Sequence, residues 1–304
     1  TQLVVGEVQS GKTMSFTGVS ALARDNEFPI VIILAGTKKN LYKQTVKRLI
    51  NDLKINGNGG ANPWKLIEKG PGAKNQGDID SQTSTISKLL KDWADESIPD
   101  EFKKSSLIVT LKNKQRIDDL TKLLKKIFEK NQNSNYPVII IDDEADQAGL
   151  NINQNGDMSA IYEAINNLRR SVPNHSYLMY TATPQAPLLL EMTDILSPDF
   201  VTVLNSGDDY VGGFELFSPD SDFGEIIPVL EIPTATDPDH DAQPPDSLKN
   251  ALAYFLLALT LAQHRGSPKP ISMLIHPATQ RAIHKTYKNW VLAIFDGWRL
   301  ELSE

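Results

Sequence analysis

Gly6-Glu-Val-Gln-Ser-Gly11-Lys12-Thr13 is the stretch that decides how this chain is read. It fits the spacing Gly-x-x-x-x-Gly-Lys-[Ser/Thr]. In such a loop the glycines let successive backbone N–H groups turn inward around a phosphate, beside the positive end of the following helix. Gly6, Gln9, Ser10, Gly11, Lys12 and Thr13 are therefore the expected cofactor-binding residues. Lys12 is expected to reach the β- and γ-phosphates of ATP, and Thr13 to ligate Mg²⁺. The flanks agree with this reading. Gln2-Leu-Val-Val reads as a short apolar strand, and residues 12 to about 23 read as a helix.

Working outward, Val138-Ile-Ile-Ile-Asp142-Asp143-Glu144-Ala-Asp146 is an apolar strand delivering carboxylates to the same edge. Acids packed this closely after a buried strand repel one another unless a cation joins them. Asp143 is the expected Mg²⁺ ligand, through water, with Asp142 as the second candidate. Glu144 is the expected general base, polarising the attacking water, and Glu144 with Lys12 forms the expected catalytic pair. Thr181-Ala-Thr183 follows the strand Tyr177-Leu-Met-Tyr180.

Between these motifs strands and helices alternate. Pro29-Ile-Val-Ile-Ile-Leu34 is an unbroken β-branched run of the kind buried on both faces of a parallel sheet. A basic helix is predicted over 39–55, a loop or insertion over the Gly/Asn/Lys-rich 56–77, and a strand over 105–111. Helices are predicted over 115–130, with Ile117, Leu120, Leu123, Leu124 and Ile127 at helical spacing, and over 159–170. Polar motifs at the carboxyl ends of strands mark an open α/β sheet with its ligand along that edge. Residues 191–246 are acidic, carry seven prolines and several short β-like pieces, and read as an insertion or connection between domains. From 247 the rhythm returns, with a helix over 247–264, a strand over 272–276 and a helix over 278–294.

Composition narrows the classes. At roughly 150 residues per domain, 304 residues suggest about two domains. No cysteine is present, which excludes disulfide frameworks, thiolate zinc sites and cysteine nucleophiles, and fits a reducing, cytoplasmic setting. The longest apolar run, Ala251 to Ala262, is too short to span a bilayer, so no membrane partner is expected. The net charge of −7 conceals a segregation. Residues 36–74 hold nine Lys/Arg against Asp52 and Glu68, whereas residues 171–248 hold fourteen acids and no Lys or Arg. A basic face is thus compatible with an acidic protein. The opening Thr, inside an apparent core strand, is read as the start of a fragment of a longer protein.

The three motifs, in this order and spacing, resemble motifs I, II and III of superfamily-two helicases. The fuller strings Gly6-Glu-Val-Gln-Ser-Gly-Lys-Thr13, Ile141-Asp-Asp-Glu-Ala-Asp-Gln-Ala148 and Tyr180-Thr-Ala-Thr-Pro184, with Gly207-Asp-Asp-Tyr-Val-Gly212, are similar to the bacterial "Z-one" domain family, which carries an endonuclease label. The resemblance covers residues 3–215 well and 250–290 loosely. It implies a RecA-like P-loop NTPase domain with a parallel sheet over 1–190, and the truncated start of a second RecA-like domain over 247–304. It further implies Mg²⁺-dependent ATP hydrolysis by a helicase- or translocase-like motor on DNA, in restriction or phage defence, with partner proteins of such a system. Thr181 and Thr183 would couple the nucleotide site to domain movement.

The helix bearing Lys38, Lys39, Lys43, Lys47 and Arg48 lies where motif Ia of such motors faces the nucleic-acid backbone, and Lys112 and Lys114 hold the analogous place after the next strand. Such residues would neutralise DNA phosphates without reading sequence. The endonuclease alternative rests on Glu101-Phe-Lys103 with Asp78 or Asp80 upstream. A nucleotide-dependent switch or scaffold is the other alternative. Arg281 and Arg299 are isolated, so no arginine-finger motif is recognised, and the piece is expected to be a poor ATPase alone.

Overall fold

The computed structural model describes residues 1–55, 62–69, 79–131, 135–147, 159–188, 194, 196–218, 220, 243–266, 270–278 and 280–303. They form two compact units, Thr1–Gly212 and Gly213–Glu304.

The first unit runs β1 (Gln2–Val5), α1 (Lys12–Asp25), β2 (Ile30–Ala35), α2 (Lys39–Asp52), β3 (Trp64–Lys69), α3 (Ile79–Ala94), β4 (Ser105–Leu111), α4 (Lys114–Lys130), β5 (Val138–Asp143), α5 (Ala160–Arg170), β6 (His175–Thr181), α6 (Gln185–Leu188) and β7 (Phe200–Val203). All seven strands are parallel, in the order β3-β4-β2-β5-β6-β1-β7.

The burial of β2 explains why this sheet forms. Every residue from Ile30 to Ala35 is buried, and its side chains serve two cores by alternation. Ile30, Ile32 and Leu34 join Ile86 and Leu90 of α3, Ile117, Leu120 and Leu124 of α4, and Ile165 and Leu168 of α5. Val31, Ile33 and Ala35 join Phe16 and Ala23 of α1 with Tyr42, Val46 and Leu49 of α2. The division of helices follows from strand order. From β1 to β2 to β3 the chain steps one way across the sheet; from β3 through β4 and β5 to β6 it steps back. Right-handed crossovers then place α1 and α2 on one face and α3, α4 and α5 on the other. Strand β6 lies between β1 and β5, a RecA-like arrangement, so the loops after all three open at neighbouring points of one edge.

Two expectations are corrected here. Within 56–77, residues 64–69 form edge strand β3, with Trp64 and Ile67 buried, and α3 follows it. Within 191–246, residues 200–203 form edge strand β7, paired with β1, so the first unit extends past 190 to Gly212. Both are edge strands, paired on one side; β3 mixes charged with apolar residues, and β7 is a four-residue strand exposed along its whole length, so neither shows the long buried run of β2.

The second unit holds α7 (Gly213–Phe217), α8 (Asp246–His264) and α9 (Arg281–Glu301). Leu248 and Leu252 of α8 and Ile294 of α9 form its core. Residues 272–276, expected as a strand, pair with no strand among the described residues. Met273 and Ile275 pack on that core while Ser272, Leu274 and His276 face outward, so the period-two pattern is met without a ladder. Among the described residues no helix is long and apolar enough to cross a membrane.

Candidate active site

The loop between β1 and α1 is anchored at its start by Gly6 N–H donating to Thr181 O, 3.1 Å away. It is closed by Ser10 N–H donating to Glu7 O at 3.2 Å. Gln9 and Gly11 have φ of 60° and 101°, the left-handed region. Alternating the hand of successive residues turns N–H groups to one side and makes an anion-binding hollow. Gly11 is the N-cap of α1 and brings no side chain to cover the first N–H groups of the helix, which stay available to a ligand. Gly6 is needed for space, since a Cβ there would lie 3.0 Å from Lys12 Cγ and 3.1 Å from Ser10 Oγ. Ser10 Oγ is buried and has no hydrogen-bond partner among the described residues.

Lys12 folds back over this loop, donating from Nζ to Gly6 O at 3.1 Å and Glu7 O at 2.7 Å. Burial lowers its pKa, against the pull of the Asp143, Glu144 and Asp146 carboxylates. The ammonium therefore stands between the loop and the acidic end of β5. Strand register brings these parts level, with Val5 beside Thr181 and Tyr180 beside Asp143.

The acidic motif splits into distinct environments. Asp142, the second candidate for the metal, is 2% exposed and already engaged. Its Oδ1 lies 2.5 Å from Lys112 Nζ, and its Oδ2 accepts from Tyr177 Oη at 2.7 Å. Lys112 is correspondingly unavailable to nucleic acid, because its side chain is fully buried and its Nζ also donates to Asp143 O at 2.7 Å and Glu144 O at 2.8 Å. Asp143 remains the carboxylate open to a cation. Burial, then the neighbouring Glu144 charge, pushes its pKa up to about 6, with Lys112 and Lys12 opposing. Glu144 sits at φ 53°, rare for a side chain of its size, and such strain is characteristic of functional turns. Its Oε2 is buried and meets no hydrogen-bond donor among the described residues. Asp146 accepts from Thr181 Oγ1 at 2.5 Å and Thr183 Oγ1 at 2.8 Å, and Thr183 N–H donates to Thr181 Oγ1 at 2.9 Å.

The basic residues of α2 and its N-cap are exposed: Lys38, Lys39, Lys43, Lys47 and Arg48. Lys39, Lys43 and Lys47 recur every four residues, while Tyr42, Thr45, Val46 and Leu49 face the core. Arg48 points back to the loop and donates to Thr13 Oγ1 at 3.3 Å. Lys114 is exposed and paired with Asp118 at 3.0 Å. Glu101-Phe-Lys103 lies outside any strand; Glu101 is exposed, and Lys103 pairs with Asp100 at 2.9 Å.

Sequence reasoning missed the support of the loop from behind β7. Leu204 N–H donates to Val5 O at 2.7 Å, Ser206 Oγ donates to Glu7, and Tyr210 Oη donates to Val8 O at 2.7 Å. It also missed Ser15 Oγ against Tyr180 Oη at 3.2 Å. These partners lie far away in sequence, and only the Gly207–Gly212 string hinted at them.

The residues fit a nucleotide with its metal: an anion-binding hollow, an orphaned buried hydroxyl, a lysine, a threonine at the helix start and the carboxylates of Asp143 and Glu144. No cluster of three or more His, Asp or Glu side chains suited to a metal occurs among the described residues. Mg²⁺ arriving with phosphates needs only one or two protein ligands. The chain has a RecA-like P-loop fold.

No protein-family profile and no curated protein matches the chain. Among solved structures it is similar to the Pyrococcus furiosus Hef helicase domain, at 14% identity and a TM-score of 0.36, over 67% of this chain and 35% of that one. It is also similar to an ATPase from the type III secretion system of pathogenic bacteria, at 10% and 0.27, over 68% and 44%. A third is Drosophila ORC bound to DNA, at 14% and 0.25, over 65% and 90%. The chain spans about a third of the Hef chain and under half of the secretion ATPase.

Proposed function

We propose that this protein is a Mg²⁺-dependent ATPase of the helicase or translocase type that acts on DNA, in the manner of the "Z-one" proteins that its motif strings resemble. The observation that carries the reading is the facing of Lys12, at the mouth of an anion-binding loop, by the Asp143, Glu144 and Asp146 carboxylates. Loop amides and Lys12 bind the phosphates, while Thr13 and Asp143 hold the metal, which when bound neutralises charge on the transferring phosphoryl group. Glu144 Oε2, without a hydrogen-bond partner among the described residues, takes the proton of the attacking water. Thr181 and Thr183 report the state of this edge through Asp146. The exposed row Lys39, Lys43 and Lys47 supplies sequence-independent contacts to the DNA backbone. We assign the second unit to a second RecA-like domain, and restriction or phage defence is the setting we favour.

The test is ATP hydrolysis by the intact protein with Mg²⁺, alone and with single- or double-stranded DNA. Stimulation by DNA supports the motor. Nucleotide binding without turnover under any of these conditions would instead favour a nucleotide-dependent switch.

A further inference from the structure

We propose that Lys112 is a positioning residue for the Glu144 turn, a buried ammonium that fixes the aim of the general base from behind. This rests on the ATPase reading above and goes beyond its assignment of roles.

The ammonium makes three close approaches: an ion pair with Asp142 Oδ1 at 2.5 Å, and hydrogen bonds donated to Asp143 O at 2.7 Å and Glu144 O at 2.8 Å. Neutralising Asp142 would require only the first. The other two go to consecutive carbonyls of the turn that carries the metal-side carboxylate and the base. The peptide between Glu144 and Ala145 is held at both ends, its C=O by Lys112 Nζ and its N–H by Tyr180 O at 2.9 Å. This matters because Glu144 Oε2 has no partner among the described residues. A carboxylate without a tether of its own is aimed by its backbone, and this backbone is in a left-handed conformation at φ 53° that needs outside support. Lys112 is itself anchored, its N–H donating to Gly36 O at 2.9 Å. Behind it the support continues through Asp142 to Tyr177 Oη, and the Arg169 guanidinium lies 4.5 Å from the centre of the Tyr177 ring. A chain of buried polar groups thus runs from α5 through the sheet to the catalytic turn.

The experiment separates positioning from charge compensation. Lys112→Met alone leaves Asp142 buried and unpaired, so it is compared only through the double variant Lys112→Met/Asp142→Asn, with Asp142→Asn as its reference. Intact proteins are assayed for melting temperature, for affinity to a non-hydrolysable ATP analogue with Mg²⁺, and for single-turnover ATP hydrolysis. The expected result is a double variant that melts and binds like its reference but turns over about 10- to 100-fold more slowly, the range for losing an outer partner of a catalytic group. Rates equal to the reference would overturn the proposal and leave Lys112 as a counter-charge. Should the double variant not fold, Tyr177→Phe keeps every charge and removes one hydroxyl behind Asp142. It is then expected to slow turnover about threefold at unchanged analogue affinity, and an unchanged rate would overturn the proposal. A wild-type protein that binds the analogue but never hydrolyses ATP would refute the ATPase reading itself, and that outcome is visible before any variant is compared.

Discussion

Thr181 and Asp146 are joined across the ends of two adjacent strands by a hydroxyl–carboxylate hydrogen bond of 2.5 Å. Thr181 is fully buried, so the bond ties the last acid of one motif to the interior of the next strand. A charge-assisted bond of this kind is among the stronger ones a fold contains. Replacing Thr181 and Thr183 together by Ala leaves Asp146 without either hydroxyl. The expected outcome is an ATP-analogue affinity changed less than about threefold, with the DNA-stimulated rate lowered about tenfold, since the pair acts on coupling and not on phosphate contact. Parallel binding and hydrolysis titrations check this, and an equal loss in both would return the two threonines to a structural role.

Lys12→Ala and Glu144→Gln should fail in different ways. The lysine charge offsets phosphate charge in the bound state, so its loss is expected to abolish measurable binding of the Mg²⁺–ATP analogue in calorimetry. The glutamine variant keeps the shape and loses the base, so binding persists while turnover falls by about 100-fold or more. Two variants with the same defect would show that the loop and the acidic turn do not share one site.

Asp143 gives a pH dependence whose sign is fixed by its raised pKa of about 6. The folded protein holds this proton more tightly than the unfolded chain does. Stability therefore falls as pH rises from the ordinary carboxylate range, near 4, to about 6, and the penalty is complete above that. In nucleotide-free, metal-free protein, Asp143→Asn should raise the melting temperature at pH 7–8. The gain should shrink as pH falls and vanish below about 4, with an upper bound of about 3 kcal/mol. Thermal melts across that range decide it, and a gain independent of pH would contradict the assignment.

Lys39, Lys43 and Lys47 form one exposed row, and changing all three to Ala should weaken DNA binding alike for unrelated sequences. Each lost phosphate contact lowers the steepness of log affinity against log salt by about 1, so a drop of up to about 3 is expected for the triple variant. Anisotropy titrations over a salt series measure it; an unchanged slope would place DNA elsewhere.

What could be read from the sequence was what is local. Ile30 to Leu34 announce a central strand because no polar residue interrupts a run that must be covered on both sides. Gly6 to Thr13 and Asp143 to Asp146 are legible because their chemistry is set by spacing within a few residues. Trp64 to Lys69 was hidden, since Lys65, Glu68 and Lys69 share an edge strand with Trp64 and Ile67 between Gly- and Asn-rich flanks. Phe200 to Val203 owes its place to pairing with Gln2 to Val5, some two hundred residues earlier. Lys112 was the instructive error. Beside Asn113 and Lys114 it reads as part of a solvated basic patch, and nothing local reveals that Asp142 and two carbonyls await it inside.

The two bonds from Lys12 Nζ to the carbonyls of Gly6 and Glu7 have a consequence for affinity. The lysine is parked on its own loop, so a phosphate arriving there must compete with two acceptors already in place. Recognition at this position is an exchange of partners, and what the protein gains is only the difference between a dianion and two peptide oxygens. A singly charged anion offers little over the resident pair, whereas a polyphosphate with its metal offers much. The resting latch thus discriminates by charge before any part of the base or sugar is read.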